Sequence, residues 1–339
     1  MRVGIVGTGA IANLHARVYK KLGFPIRVCW DIREDIGQKF AAVNDSEFVR
    51  GFETVCRHPE VDIVDICTLP DFRLDPLRIC AEAGKPIQVQ KPIATTVDVA
   101  REMVETARAS NIPLGVVSQH RFDDSSQFVH AAIRDGRLGR LLQCDAYVKW
   151  YRSPEYYARP VKGSWKGEGG GALINQGIHQ IDLLRWMVGP VREVSAMWQL
   201  GALHRIESED IVNALVRFAN GATGVIQAAT AFAPGYTERV EVHGTKGTAV
   251  ISGDKLTTWD VKDDDGTIPP PLASTVASGA SDPMAISLEP FERQFLDFAD
   301  AIRTGRRPLI AGEDGLQALE LVDAIYRSCR SGERVRLEP

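Results

Sequence analysis

No segment of the 339-residue chain approaches the run of about 20 apolar residues that crossing a bilayer takes, so no membrane span is expected. The opening, MRVGIVGTGA, runs straight into a strand-like stretch without a basic region, a long apolar core or a small-residue cleavage site, so no signal peptide is expected. An excess of positive charge is missing as well. A formal net charge of -4 offers no basic field to a phosphate backbone, which sets nucleic acid aside. Cysteines at metal-ligand or redox spacing are absent: Cys29, Cys56, Cys67, Cys80, Cys144 and Cys329 are scattered, with no CxxC, and most lie in apolar segments. Reduced thiols acting as small hydrophobes in a cytoplasmic protein are expected, and no metal site. There is no internal repeat. The apolar fraction of 44% and charged fraction of 25% are those of an ordinary soluble globular protein. The length exceeds what one core usually organises, which predicts two domains.

From Met1 to about His120, short apolar runs alternate with amphipathic helical segments: RVGIVG, IRVCWD, VDIVDIC, PIQVQ and PLGVVSQ. Continuous apolar strands separated by helices predict a doubly wound α/β domain with a parallel sheet, over residues 1–121. The rhythm then changes. After a helical segment near Ser125 to Asp135, the stretches LLQCDAYVKWYR, EVSAMWQL, DIVNALVRF, ATGVIQAAT, RVEVHG, TAVISG and KLTTWD read as strands joined by turns, with Asn220-Gly221 a strong hairpin signal. Residues 122–339 are therefore expected to form an α+β domain around a large, mainly antiparallel open sheet. One helix, about Ala172 to Val188, interrupts the strands, and two more, near Glu289 to Ile302 and Glu313 to Arg330, close the chain. The polar, Pro-rich stretch from Asp263 to Asp282 is expected to be a mobile loop. A sheet of this size needs both faces covered, which predicts a homodimer or homotetramer packed through it.

The first strand ends in Gly7-Thr8-Gly9-Ala10-Ile11-Ala12, a GxGxxA pattern at a strand-to-helix turn. Gly7 permits the tight turn, Gly9 lets the backbone approach a pyrophosphate, and Ala12 allows close helix-sheet packing. The helix N-terminus supplies N–H groups and positive potential to the phosphates. A glycine pattern alone also marks a tight turn in any α/β protein. The second strand, IRVCWD, decides: it ends at Asp31, about 20 residues on, where a carboxylate accepts hydrogen bonds from the adenosine ribose. Asp31 repels a 2′-phosphate and favours NAD, whereas Arg33 two residues on is the feature that would suit NADP.

The segment Gly84-Lys85-Pro86-Ile87-Gln88-Val89-Gln90-Lys91-Pro92 ends a strand with a lysine. Ligands of open parallel sheets bind beyond the carboxyl ends of the strands, so Lys91 is placed where substrate and nicotinamide meet. The interrupting helix follows three glycines, Gly169-Gly170-Gly171, and at about 100° per residue Asn175, His179 and Asp182 fall together beside its apolar face. An isolated histidine is more often satisfied inside a core, but three aligned polar residues mark a polar edge on a buried helix. Tyr151, Tyr157 and Trp165 belong to an aromatic-rich stretch just before the glycines, of the kind whose ring faces stack on sugar C–H surfaces, though sheet packing accounts for many such rings. Arg121, after the last apolar strand of the first half, is expected to face the same substrate.

These motifs resemble the glucose-fructose oxidoreductase/inositol dehydrogenase (Gfo/Idh/MocA) family over nearly the whole length: GTGAIA, AGKPIQVQKP, GGGALINQGIHQIDLLRWMVG and VHGTKGTAVISG. The resemblance implies an NAD(P)-dependent oxidoreductase acting on the CH–OH groups of sugars, sugar derivatives or cyclitols, with Lys91 and His179 flanking the carbon that exchanges hydride. It also implies cofactor contacts from Ala10, Ile11, Ile32, Thr68, Leu69, Pro70, Gln90 and Lys91. The chain departs from the family's pattern at three places. Gln90 stands where glutamate usually precedes the lysine, Asn175 where aspartate is frequent, and Thr68-Leu69-Pro70-Asp71-Phe72-Arg73-Leu74 lacks a histidine at its last position. An amide is no base, which leaves His179 for that role. Lys91 then binds the same oxygen and stabilises its developing charge, Asn175 holds a neighbouring hydroxyl, and Asp182 orients the group. The rival assignment makes Lys91 the base. Two further readings stand beside this one: the same fold acting on a dihydrodiol or a C=N bond, and a nucleotide-sensing protein that binds NAD(H) without turnover.

Overall fold

The computed structural model describes residues 1–262 and 287–337, so the loop expected from Asp263 to Asp282 lies outside the described residues. The chain divides into two compact units, Met1–Gln119 with Ser287–Gln317, and His120–Ile286 with Ala318–Pro339. The division read from the sequence falls after residue 121. The return of residues 287–317 to the first unit was not legible in the sequence.

The first unit runs β1 Val3–Val6, α1 Ala10–Lys21, β2 Ile26–Trp30, α2 Glu34–Asn44, β3 Glu47–Phe48, α3 Phe52–Arg57, β4 Ile63–Ile66, α4 Leu74–Glu82, β5 Ile87–Val89, α5 Val97–Ala109 and β6 Leu114–Val116. The strands form one parallel sheet in the order β3-β2-β1-β4-β5-β6. Helices cover both faces, and every residue of β1, β4, β5 and β6 is buried, which is why these strands read as largely apolar runs interrupted only at Asp65 and Gln88. Strand order reverses between β1 and β4, so the loops after these two strands diverge and leave a crevice at their carboxyl ends. The edge strand β3, only two residues long, escaped the sequence reading.

Near the end of the chain, α10 Glu289–Thr304 packs back on this unit. It buries Phe291, Phe295 and Phe298, each worth about 1.5–3 kcal/mol when withdrawn from water. Gln294 secures the register with both ends of its amide: Nε2 donates to the carbonyl of Val116 (2.7 Å) and Oε1 accepts the N–H of Ser118 (3.1 Å).

The second unit holds α6 Asp124–Arg134, β7 Leu141–Lys149, the single turns α7 Pro154–Tyr157 and α8 Trp165–Glu168, α9 Ile178–Val188, β8 Val191–Leu200, β9 Glu209–Phe218, β10 Thr223–Ala229, β11 Arg239–Gly244, β12 Gly247–Ser252 and β13 Lys255–Val261. Helix α11 Gly312–Ser331 and the two-residue β14 Val335–Arg336 complete it, the first turns of α11 being counted with the first unit. Eight strands form one sheet in the order β13-β12-β11-β7-β10-β9-β8-β14, antiparallel throughout except where β10 lies parallel to β7. At the β9–β10 turn the side-chain oxygen of Asn220 accepts the N–H of Ala222 (3.0 Å) and Gly221 takes φ +89°. Along β9, Val212, Ala214, Val216 and Phe218 face inward against the helices while Asn213, Leu215 and Arg217 face out, the strict alternation of a sheet covered on one side.

Candidate active site

In the first unit, three loops follow the carboxyl ends of β1, β4 and β5. Gly7 has φ +90°, and a Cβ there would meet Thr68 Cγ2 at 2.9 Å, so the glycine serves a tight turn against the loop after β4. Gly9 is different: a Cβ built on it meets nothing within 4 Å, so the space before the N-terminus of α1 is open. No side chain caps α1 and no acidic residue occupies its first turn, which leaves the amides of Ala10 and Ile11 and the positive end of the helix directed at that space. These residues fit a dinucleotide pyrophosphate. Asp31, just after β2, accepts the Thr8 N–H (2.8 Å) and hydroxyl (3.0 Å) on Oδ2 and the Arg33 N–H (2.9 Å) on Oδ1, so its carboxylate is locked in place beside the glycine turn. Arg33 lies 3.5 Å from Asp31 and is largely exposed, and Ile32 projects into solvent at 81% exposure. Leu69 is partly exposed and Pro70, which opens a short 3-10 turn, is buried.

Lys91 follows β5 and joins Pro92 through a cis peptide bond. Two buried groups hold this corner. The guanidinium of Arg73 donates to the carbonyls of Thr68 (3.0 and 2.8 Å), Gln90 and Pro92, so one side chain ties the loop after β4 to the loop after β5. Burial pushes its pKa down to about 9. On the other side, Gln90 Oε1 accepts the Lys91 N–H (3.1 Å), which turns its amide nitrogen toward His15 Nε2 at 2.7 Å. Nε2 of His15 must then accept, and Nδ1 carries the hydrogen donated to Asp65 Oδ2 (2.7 Å). Tyr19 adds a hydroxyl to the same oxygen (2.9 Å), and burial together with the Asp65 charge raises Tyr19 and Cys67 well above their ordinary pKa values. The glutamine noted as a departure thus completes a buried chain of hydrogen bonds. A carboxylate in the apolar run VDIVDIC was the visible signal of this network, since an aspartate is rarely buried without partners.

In the second unit, the expected single helix begins as a π turn, Leu173–Gly177, and continues as α9. The wider turn changes the azimuth of Asn175 from that of a uniform α-helix, yet from Gly167 to Leu184 every residue is buried except Asn175 and His179. Glu209 holds the helix start: Oε2 accepts the Gly171 N–H (2.9 Å), and Oε1 accepts the Leu173 N–H (2.8 Å) and the Tyr326 hydroxyl (2.8 Å). Burial raises Glu209 to about 7 despite these donors. The glycines before the helix are steric necessities: Gly170 has φ +149°, and a Cβ on Gly171 would lie 1.9 Å from the carbonyl oxygen of Glu209.

Arg121, expected to face the substrate, and Asp182, expected to orient it, pair with each other, Nε to Oδ2 at 2.8 Å and a terminal nitrogen to Oδ1 at 2.5 Å, both buried. A guanidinium and a carboxylate of opposite charge, both withdrawn from water, are held by mutual bidentate bonding. The pair clamps the 3-10 turn Gln119–Phe122 onto α9, and the neighbouring His120 meets His179 ring edge to ring face, centroids 5.2 Å apart and planes at 89°. His120 Nδ1 in turn bonds Asp123 Oδ2 at 2.8 Å. His120 and Asp123 were missed, although QHRFDD follows the last strand of the parallel sheet, where functional side chains gather.

The aromatic residues separate. Tyr157 bonds the Thr230 hydroxyl (2.7 Å) and leans on His204, and Tyr151 forms a one-residue bridge with Ala231. Trp165 lies in another cluster, against Trp198, Tyr326 and Arg330, with its indole N–H on the Glu207 carbonyl (3.1 Å). Tyr156, between them, takes a hydrogen bond from Gln176 of the π turn (3.2 Å) with Arg152, Arg159 and Lys162 about its ring. Among the described residues, no helix is long and apolar enough to cross a membrane.

Comparison with known proteins agrees with this geometry. Residues 1–117 match the oxidoreductase family model with an NAD-binding Rossmann fold, and residues 126–250 match the GFO/IDH/MocA C-terminal domain. The inositol 2-dehydrogenase of Rhizobium meliloti is 27% identical, over 99% of each chain. The D-apiose dehydrogenase of Paraburkholderia graminis is 27% identical, over 98% of this chain and 89% of that one. Among solved structures, the WlbA dehydrogenase from Bordetella pertussis in complex with NADH and UDP-GlcNAcA superimposes with a TM-score of 0.87 at 28% identity, covering 100% of this chain and 99% of that one. With both halves matched, the parallel sheet in the dinucleotide-binding order and the glycine turn open toward a pyrophosphate, the chain belongs to the GFO/IDH/MocA family of NAD-binding Rossmann oxidoreductases.

Proposed function

We propose that the protein oxidises a secondary hydroxyl of a sugar, sugar derivative or cyclitol, or reduces the corresponding ketone. Bound NAD(H) supplies the hydride acceptor or donor. Gly9, Ala10 and Ile11 hold its pyrophosphate through backbone N–H groups and Asp31 holds its adenosine ribose. His179 takes the hydroxyl proton during oxidation and returns it during reduction. Lys91 donates a hydrogen bond to the same oxygen and stabilises the charge that develops on it. Asn175 bonds an adjacent hydroxyl. The observation that carries this reading is that Asn175 and His179 alone keep partial exposure within the otherwise buried stretch from Gly167 to Leu184, since a helix that packs only for stability has no reason to leave an imidazole and an amide in reach of solvent.

The substrate range of relatives acting on inositol and D-apiose supports a polyol. Six free thiols, five of them buried, support a reducing, cytoplasmic location. We also infer a homodimer or homotetramer built on the outward face of the eight-stranded sheet, where Met197 and Leu215 are 73% and 65% exposed.

The test is a panel of myo-inositol, scyllo-inositol, D-apiose, D-glucose, D-gluconate and a UDP-linked uronic acid, incubated with NAD while reduced nicotinamide is followed by absorbance. Turnover of at least one member is expected, with His179→Ala and Lys91→Ala each lowering kcat about 100-fold or more. Wild-type rates in either variant would overturn these roles. Tight NADH binding with no turnover of any member would favour the nucleotide-sensing reading.

A further inference from the structure

Residues 149–166, which lead into the glycines before the helix of Asn175 and His179, carry five basic residues, Lys149, Arg152, Arg159, Lys162 and Lys166, and one acid, Glu155, in a chain whose net charge is -4. Three of the cations gather on one ring: Arg152, Arg159 and Lys162 lie 5.7, 5.6 and 5.0 Å from the centroid of Tyr156. A ring face attracts a cation, but three like charges about one ring repel one another, so that attraction alone is a weak reason to bring them together. Neighbouring carboxylates answer only part of the charge. Glu168 pairs with Lys162 and also accepts the Gly163 N–H (2.9 Å), and Glu238, which acts on Arg152, accepts the Trp150 indole N–H (3.0 Å). Arg159 is exposed and has no carboxylate partner among the described residues. The cluster adjoins the substrate helix, because the Tyr156 hydroxyl accepts a hydrogen bond from Gln176 Nε2 (3.2 Å) and Gln176 directly follows Asn175 in the π turn. One residue step and one extended glutamine side chain keep that hydroxyl within about 12 Å of the Asn175 Cα.

The geometry points to a substrate that carries an anionic group, a carboxylate or a phosphate, received by Arg152, Arg159 and Lys162 around Tyr156 while Asn175 and His179 handle the hydroxyl that reacts. This inference rests on the reading of the helix as the substrate site. An anion set among three cations turns their mutual repulsion into attraction, and the positive field draws a charged substrate toward the helix. Guanidinium groups suit both anions, since each presents parallel N–H donors to two oxygens of a carboxylate or a phosphate. A neutral polyol gains none of this.

The test compares matched substrates in the full-length protein with saturating NAD: D-glucose beside D-glucuronate and D-glucose 6-phosphate, and myo-inositol beside myo-inositol 1-phosphate. In at least one set the charged member is expected to show a kcat/KM about tenfold or more above its neutral counterpart, through KM, and the ratio should fall as salt rises from about 20 to about 300 mM. A preference for glucuronate identifies a carboxylate, and a preference for the phosphate esters identifies a phosphate. Arg159→Gln should lower the charged-to-neutral ratio about tenfold, a change of ratio that a general loss of stability would not produce. A second arm needs no turnover: calorimetry of the same compounds with the NADH-loaded protein should give the same preference and the same loss in Arg159→Gln. No preference for a charged member in either measurement would overturn the proposal. If the charged compounds bind better but none of the five is turned over, the anion subsite stands and the dehydrogenase reading falls. If neutral polyols are turned over and no charged counterpart does better, the dehydrogenase reading stands and the subsite falls.

Discussion

Gly7 and Gly9 stand two residues apart and serve different ends, which substitution separates. Gly7 combines φ +90° with a Cβ position 2.9 Å from Thr68, so Gly7→Ala pays in the fold itself, on the order of 1–3 kcal/mol, seen as a lowered urea midpoint. Gly9 has an ordinary φ of -68° and open space where its side chain would be. Gly9→Ala should leave the melting temperature of the cofactor-free protein within about 2 °C of wild type and weaken NADH about tenfold or more, measured by nicotinamide fluorescence. An equal loss of stability in both variants would remove the pyrophosphate from that space. Lys91 illustrates the same division: its own side chain was legible from its place at a strand end, while Arg73, which holds the backbone on either side of it, was not, because it reaches in from the loop after another strand.

The helix of Asn175 and His179 depends on one buried carboxylate. Glu209 receives two N–H groups from the helix start and the Tyr326 hydroxyl, and burial lifts it from its ordinary 4.5 to about 7. A carboxyl whose folded pKa lies above its unfolded one binds its proton more tightly in the folded state, so stability is fullest below about pH 4.5 and falls as pH rises toward 7. At about 1.4 kcal/mol per pH unit the loss across that window is on the order of 3 kcal/mol. Glu209→Gln keeps the shape and one of the two acceptor oxygens without the titration, so the variant should be less stable at both pH values while its urea midpoints at pH 5 and 7.5 lie closer together than in wild type. An identical pH slope in the two proteins would show that Glu209 is not the group responsible. The π turn that follows belongs to the same element, and the uniform α spacing read from the sequence passed over it, because a five-residue backbone irregularity leaves no mark in hydrophobic periodicity.

For the whole molecule, one face of the eight-stranded sheet is packed by α9, α6 and the π turn, while the other carries Ile211, Leu215 and Val225 among polar residues. Leu215 lies opposite Ser195 on β8 and Val225 on β10, flanked by strands on both sides, where a second copy packed on this face would cover it. Light scattering of the purified protein should give a dimer or tetramer, and Leu215→Arg should shift it toward the monomer without changing the secondary-structure signal. A wild-type monomer at micromolar concentration would refute assembly through this face.

The amino-acid order by itself determined the two classes of sheet, the Asn-Gly hairpin, the glycine turn with its acidic partner, and Lys91 and His179 as residues worth testing. All of these rest on spacing within one element or between neighbouring ones, which composition and period report directly. Only the tertiary structure decided that Arg121 is spent on Asp182, 61 residues away, that Glu209 holds the start of a helix 36 residues before it, and that His120 reaches His179. A charge announces itself in a sequence, but its partner does not: which groups meet depends on strand register and on how helices settle on the sheet, and burial then makes each meeting obligatory, because a buried polar group without a partner costs more than the fold can spare.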